Sequence, residues 1–198
     1  MRTPSLIGLT GGIAAGKSEA LRAFERLGAE TISTDEVVRG LLRTPEVRGR
    51  LVDRWGDAIA PDGELDRAKV AEIVFESPEE LRWLESELHP LVGGRVIEWA
   101  GGLPADATIA VVEVPLLFES GMDELFDAVV SVVAPDDVRA GREQGRGLAA
   151  LEGRSARQLS QDEKAARATH VITNDGSLAD LEAKVAELIE DLTADAKS

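Results

Sequence analysis

The residues Gly11-Gly12-Ile13-Ala14-Ala15-Gly16-Lys17-Ser18 combine three glycines, a lysine and a hydroxyl in the spacing G-x-x-x-x-G-K-S. A stretch with so little side chain lets successive backbone N–H groups wrap a phosphate chain. The lysine then reaches the outer phosphates and the serine hydroxyl holds Mg2+. The pattern alone recurs by chance, so its setting decides. Leu6 to Thr10 is a short apolar run suited to a buried parallel strand, and Ala20, Leu21, Phe24 and Leu27 repeat at helical spacing until Gly28. Strand, loop and helix in that order add the helix dipole to the N–H groups of the loop, and a nucleotide phosphate site is expected there.

A formal charge of −15 over 198 residues opposes binding to nucleic acid or acidic membranes, whose affinity comes largely from neutralising phosphates with Lys and Arg. A small phosphorylated ligand needs only a local positive pocket. Lys occurs only at 17, 69, 164, 184 and 197, so the lysine of the loop stands out from an arginine-dominated background. With 43% hydrophobic residues and 4% aromatics, the composition suits an α/β protein with a core of Leu, Val, Ile and Ala. The absence of cysteine excludes disulfides and thiolate metal sites and makes a reducing cytoplasm the expected home. The start, "MRTPSLIGLTGG", reads neither as a signal peptide nor as a membrane span. The oligomeric state is left open, a monomer being compatible.

These residues need a scaffold, and the chain supplies its elements in alternation. Further β-branched runs lie at Thr108 to Val114, Ala128 to Val133 and Thr169 to Thr173, with a shorter one at Glu30 to Ser33. Helical patterns separate them, which predicts a parallel sheet covered on both faces with ligands at the strand C-termini. Between the second and third strands lies a long stretch with helix signals only, expected to be an inserted helical substrate domain. Its Trp55, Trp83 and Trp99 are expected in the core, and Pro90 after His89 is expected to interrupt a helix. The tail reads as an amphipathic helix begun by Ser177 and Asp180. From Arg139 to Arg167 six Arg and one Lys face four acids, a local reversal of sign that suggests an anion partner. Arg142 and Arg146 share a helix face at i, i+4, which is unfavourable without such a partner; pairing with acids elsewhere is the alternative.

Four pieces, "LTGGIAAGKS", "ISTDEV", "ELHPLV" and "EVPLLFESG", together resemble the dephospho-coenzyme A kinase family, and the likeness runs on through "RQLSQDEKAARATHVITNDGSL". The resemblance implies transfer of the ATP γ-phosphoryl group to the ribose 3′-hydroxyl of dephospho-CoA, with Mg2+, on a P-loop NTPase fold of five parallel strands flanked by helices. It implies a nucleotide-binding core at 1–36, 105–138 and 166–198, a substrate domain at 37–104 and a lid at 139–165. It further implies nucleotide contacts by Gly11 to Glu19 and Asn174, and transition-state charge supplied by Lys17, Arg142 and Arg146.

Asp35 matches the second aspartate of the family's D-x-D and is the implied base, a helix N-cap being its alternative. Ser33 stands in place of the first. The resemblance puts Asp35, Arg67, His89, Pro90 and Leu116 at the substrate, and Ser18 and Glu113 at the metal. A salt bridge is the alternative for Arg67, and a strand-end carboxylate for Glu113. Ala14 in place of the usual glycine, Glu19 in place of threonine and a lid a few residues short are departures. They keep open a catalytically weak ATP/CoA-binding protein, beside another small-molecule kinase; a GTPase-type switch is disfavoured because N-K-x-D is missing.

Overall fold

The computed structural model describes residues 4–144 and 158–195, and the chain divides into two compact units, Thr34–Gly101 forming the second. The first unit is built on five parallel strands: β1 (Ser5–Gly11), β2 (Glu30–Ser33), β3 (Ile109–Glu113), β4 (Ala128–Val133) and β5 (His170–Thr173). They lie in the order β2-β3-β1-β4-β5. The chain leaves β3 on one side of β1 and enters β4 on the other, so the strand order reverses at β1. Ligands of open α/β sheets bind at the carboxyl end of such a switch point, which is where the glycine-rich loop begins.

β1, β3 and β4 read as near-continuous apolar runs because both of their faces are covered. Ile7, Leu9, Val111, Val130 and Val132 meet Ala20, Ala23 and Phe24 of α1 (Lys17–Arg26) in one core. Full burial of Phe24 is worth roughly 1.5–3 kcal/mol. Among the described residues this unit also holds a 3-10 turn at Asp123–Leu125 and the helices α6 (Asp136–Gln144), α7 (Gln161–Arg167) and α8 (Leu178–Asp195). Both α7 and α8 start with a serine and an acid three residues apart. Ser160 and Glu163 form a reciprocal capping box, and the Ser177 hydroxyl and N–H both donate to Asp180. Leu181, Val185, Leu188 and Leu192 of α8 complete the core on its apolar stripe.

The second unit is helical: α2 (Thr34–Leu41), α3 (Pro45–Trp55), a 3-10 turn at Asp57–Ile59, α4 (Arg67–Glu76) and α5 (Pro78–Gly101). Thr44 caps α3, with Pro45 at its first position, and Leu41, Val47, Leu51, Ile59 and Leu88 form a separate core. Trp55 and Trp83 pack against it with ring centroids 5.2 Å apart, edge to face, while Trp99 is half-buried outside that cluster. Glu80 accepts from the Arg54 guanidinium and, at 2.8 Å, from the Trp55 indole N–H; these bonds hold its carboxyl below the ordinary carboxylate range.

Two expectations fail here: Trp99 lies outside the core, and Pro90 does not break its helix. α5 is a single helix of 24 residues that runs through Pro90 rather than being interrupted by it. Ser86, His89 and Pro90 are all exposed, so the Ser86 carbonyl that loses its intrahelical donor belongs to the solvent side of the helix, while Leu88 with Leu84 and Leu91 anchors the other side in the core. Among the described residues no helix is long and apolar enough to cross a membrane.

Candidate functional site: a phosphate-binding loop tied back by side chains

The loop after β1 owes its path to glycine at two points. A Cβ on Gly11 would lie 2.2 Å from the Val132 carbonyl oxygen on the adjoining strand, and one on Gly16 would lie 2.1 Å from Asn174 Nδ2. Gly16 sits at φ +101 as the residue before α1, a left-handed conformation that costs glycine nothing. Ala14 adopts φ 57 in the same turn and is the one non-glycine residue with positive φ among the described residues. The departure from glycine at position 14 thus falls where glycine would be least strained.

Side-chain donors hold the loop's carbonyls. Lys17 Nζ donates to Gly11 at 3.2 Å and to Gly12 at 2.9 Å. The Ala15 carbonyl accepts from Asn174 Nδ2 at 2.9 Å and from Arg142 Nη1 at 3.2 Å, and Arg142 also reaches Ala14 at 3.3 Å. N–H and C=O point oppositely across a trans peptide, so the N–H groups of Ile13 and Gly16 are turned away from these donors. The result is a concave row of amides beside the N-terminus of α1, with Ser18 exposed in its first turn: an anion cradle. Glu19, which would oppose an anion, is paired with Arg22 one turn along the helix.

Glu113 ends β3 in register with Leu9 of β1 on one side and Ser33 of β2 on the other. Both Glu113 and Ser33 are buried, at 5% and 6% exposure. A carboxylate at position 33 would stand beside Glu113, and the hydroxyl there avoids that like-charge repulsion. Leu116 follows in the next turn and is exposed.

Asp35 is the second residue of α2, half-buried, so the cap position precedes it and the N-cap alternative does not describe it. Arg67 opens α4, exposed and with no ion pair among the described residues; the cap there is Asp66. Pro90 lines a cavity of 280 Å3 with Leu41, Val47, Leu91 and Arg95, and His89 lies beside it in sequence. The first unit therefore gathers Gly11 to Glu19, Glu113, Leu116, Arg142 and Asn174. Asp35, Arg67, His89 and Pro90 belong to the second unit, and Arg146 lies outside the described residues.

Sequence reasoning passed over Gln161, Lys164 and Glu119. Gln161 Oε1 accepts from the Ala134 N–H at 3.1 Å, and Lys164 is fully buried against Glu119. The S-x-x-E spacing of Ser160 and Glu163, a signal for the helix that carries Gln161 and Lys164, was passed over too, and only a count of lysines hinted that Lys164 was unusual. No spacing rule links Lys164 to a glutamate 45 residues earlier.

Residues 5–180 match the family model for dephospho-CoA kinase. The dephospho-CoA kinase of Streptomyces avermitilis is 39% identical, covering 94% of this chain and 93% of its own. A crystal structure from Thermus thermophilus superposes with a TM-score of 0.81 at 32% identity, covering 96% of this chain and 99% of the other. The dephospho-CoA kinase of Campylobacter jejuni gives 0.69 at 26%, with coverages of 96% and 97%. A P-loop cradle at the switch point of a five-stranded parallel sheet and likeness over nearly the whole length lead to one conclusion: the chain belongs to the dephospho-CoA kinase family.

Proposed function

We propose that this protein transfers the γ-phosphoryl group of ATP to the ribose 3′-hydroxyl of dephospho-CoA, yielding ADP and coenzyme A, in the cytoplasm. The observation that carries the reading is the amide cradle whose carbonyls are tied back by Lys17, Arg142 and Asn174. Residues 37–104 act in it as the substrate domain and 139–165 as the lid.

Phosphoryl transfer passes through a loose transition state, so the protein chiefly aligns the partners and spreads positive charge over the phosphates. Within the Gly11 to Ser18 loop the N–H groups of Ile13 and Gly16, with those of Lys17 and Ser18 at the start of α1, hold the phosphates, Lys17 turns to the β and γ groups, and Arg142 and Arg146 cover the transferring group. Asn174 and Glu19 flank the nucleotide. Arg67, His89, Pro90 and Leu116 hold the acceptor. Asp35 takes the hydroxyl proton as the 3′-oxygen bonds to γ-phosphorus and the bridging oxygen leaves with ADP.

Mg2+ fits the donors present. The Ser18 hydroxyl and the buried Glu113 carboxylate would supply the one or two protein oxygens that Mg2+ takes beside phosphates and water, and among the described residues no cluster of three or more His, Asp or Glu side chains offers an alternative. When bound, it neutralises charge on the β and γ oxygens.

ADP release measured with ATP and Mg2+ against dephospho-CoA, adenosine, shikimate or no acceptor tests the reading: only dephospho-CoA should stimulate it. Asp35→Asn should lower kcat by about 10²-fold, the usual scale for loss of a general base, with little change in KM, and Ser33→Ala should lose clearly less. Equal turnover with every acceptor rejects the substrate. A nearly active Asp35→Asn beside an inactive Ser33→Ala moves the acceptor role to Ser33.

A further inference from the structure

α7 carries a charge with no exposed surface. Lys164 is 0% exposed; its Nζ donates to the Pro115 carbonyl and lies 3.0 Å from Glu119 Oε1. The same carboxylate oxygen accepts from the Leu159 N–H at 2.9 Å, and the same carbonyl accepts from Thr10 Oγ1 at 3.3 Å. Glu119 Oε2 is buried and has no hydrogen-bond partner among the described residues.

Stability does not account for this cluster. Two ions taken out of water cost several kcal/mol each, and their attraction offsets that only when the geometry is good and every lone pair is satisfied. Among the described residues one oxygen has no donor, so an apolar pair of similar volume would be at least as stable. Position accounts for it better. Thr10 immediately precedes Gly11 of the phosphate loop, and Pro115 stands two residues beyond Glu113. On the same helix, Gln161 bonds the Ala134 N–H beyond β4, and a Cβ on Gly12 would lie 3.0 Å from Gln161 Cβ. Residues 159–164 are thus pinned at once to the C-terminal ends of β1, β3 and β4, the rim from which the cradle is built.

We infer that Glu119 and Lys164 are positioning residues: their buried ion pair locks the entrance of the phosphate loop and the turn after Glu113 in the alignment that phosphoryl transfer requires. This rests on the kinase reading above. Lys164 has no exposed surface with which to meet a substrate. The pair acts through Pro115, Thr10 and the Leu159 backbone.

The test compares the parent with Glu119→Leu/Lys164→Met and with Glu119→Gln, reading melting temperature, kcat and KM for ATP, and amide hydrogen exchange of the peptide spanning residues 10–18. The double variant should melt at or above the parent temperature because no buried charge remains. Its loop should nonetheless exchange about tenfold faster through local opening. Its kcat should fall about tenfold or more, with KM changed less than about threefold, because misplacement of about 1 Å suffices for losses of that order.

Glu119→Gln keeps an oxygen for Lys164 and Leu159 but strands the lysine charge. It should therefore melt lower than the parent, yet turn over several-fold faster than the double variant and show slower loop exchange. A purely structural pair would make kcat and exchange follow melting temperature in both variants, and that result overturns the inference. So does a double variant with parental exchange and kcat. Should the double variant not fold, Glu119→Gln decides by whether loop exchange rises in step with its lost stability. Should the parent release no ADP with dephospho-CoA, the functional reading fails, while the exchange comparison still judges the pair.

Discussion

At the scale of single residues, the phosphate loop carries a backbone cost at Ala14. Ala14 is held at φ 57, where a Cβ crowds the following carbonyl by about 1–2 kcal/mol. Ala14→Gly relieves that crowding but frees the unfolded chain, so the net gain should be about 1 kcal/mol, or roughly 2–4 °C in melting temperature. A calorimetric scan showing no rise would mean that neighbouring contacts already absorb the strain. Lys17 offers the opposite case. Its ammonium is bound to two loop carbonyls and buries no apolar group of consequence, so Lys17→Ala should leave the fold intact while abolishing measurable transfer. Near-parental ADP release from that variant would remove the loop from the mechanism.

At the scale of elements, α5 is the helix whose sequence argues most against it. An interior proline deletes a backbone hydrogen bond and crowds the carbonyl one turn back, at about 3 kcal/mol, yet the helix continues for eleven residues past Pro90. Pro90 also lines the 280 Å3 cavity with Leu41 and Val47, and substrate contact would explain why it is kept. Pro90→Ala should therefore raise the urea midpoint while raising KM for dephospho-CoA and leaving KM for ATP in place. A stabilised variant with unchanged KM for both substrates would show the proline to be no part of acceptor binding.

For the whole molecule, a charge of −15 makes acid the revealing variable. Four carboxyls are held below their ordinary range by bonds made only on folding: Glu80 by Arg54 and Trp55, Glu163 by Ser160, Asp175 by Lys184, and Asp180 by Ser177. A depressed folded pKa means that the unfolded chain takes up protons first. Each group therefore contributes stability fully above its ordinary pKa and loses it as pH falls through the folded value. Melting temperature should stay level from pH 7 to about 5 and drop below about pH 4, where carboxylates titrate. Glu80 makes its bonds within the second unit and the other three carboxyls make theirs within the first, two of them at the caps of α7 and α8. Replacing Glu80 by Gln should therefore flatten only part of the decline, and a profile with no decline below pH 4 would contradict the assignment.

What the sequence by itself determined is whatever local rules govern: the glycine-rich loop, the five apolar runs, the serine cap of α8, and the all-helical stretch between β2 and β3. Each is written within a few neighbouring residues, where backbone sterics, side-chain period and capping hydrogen bonds act alone. Helix α5 broke the pattern because packing of Leu88, Trp83 and Leu91 against the second core outweighed the local preference of Pro90. The tertiary structure alone decided that Arg142 and Asn174 hold the back of the phosphate loop and that Ser33 stands in register with Glu113. It alone brought Lys164 to Glu119. These contacts join residues from 45 to 159 positions apart, and no spacing within one element encodes them. They exist because the parallel sheet brings the C-terminal ends of strands distant in sequence to one rim.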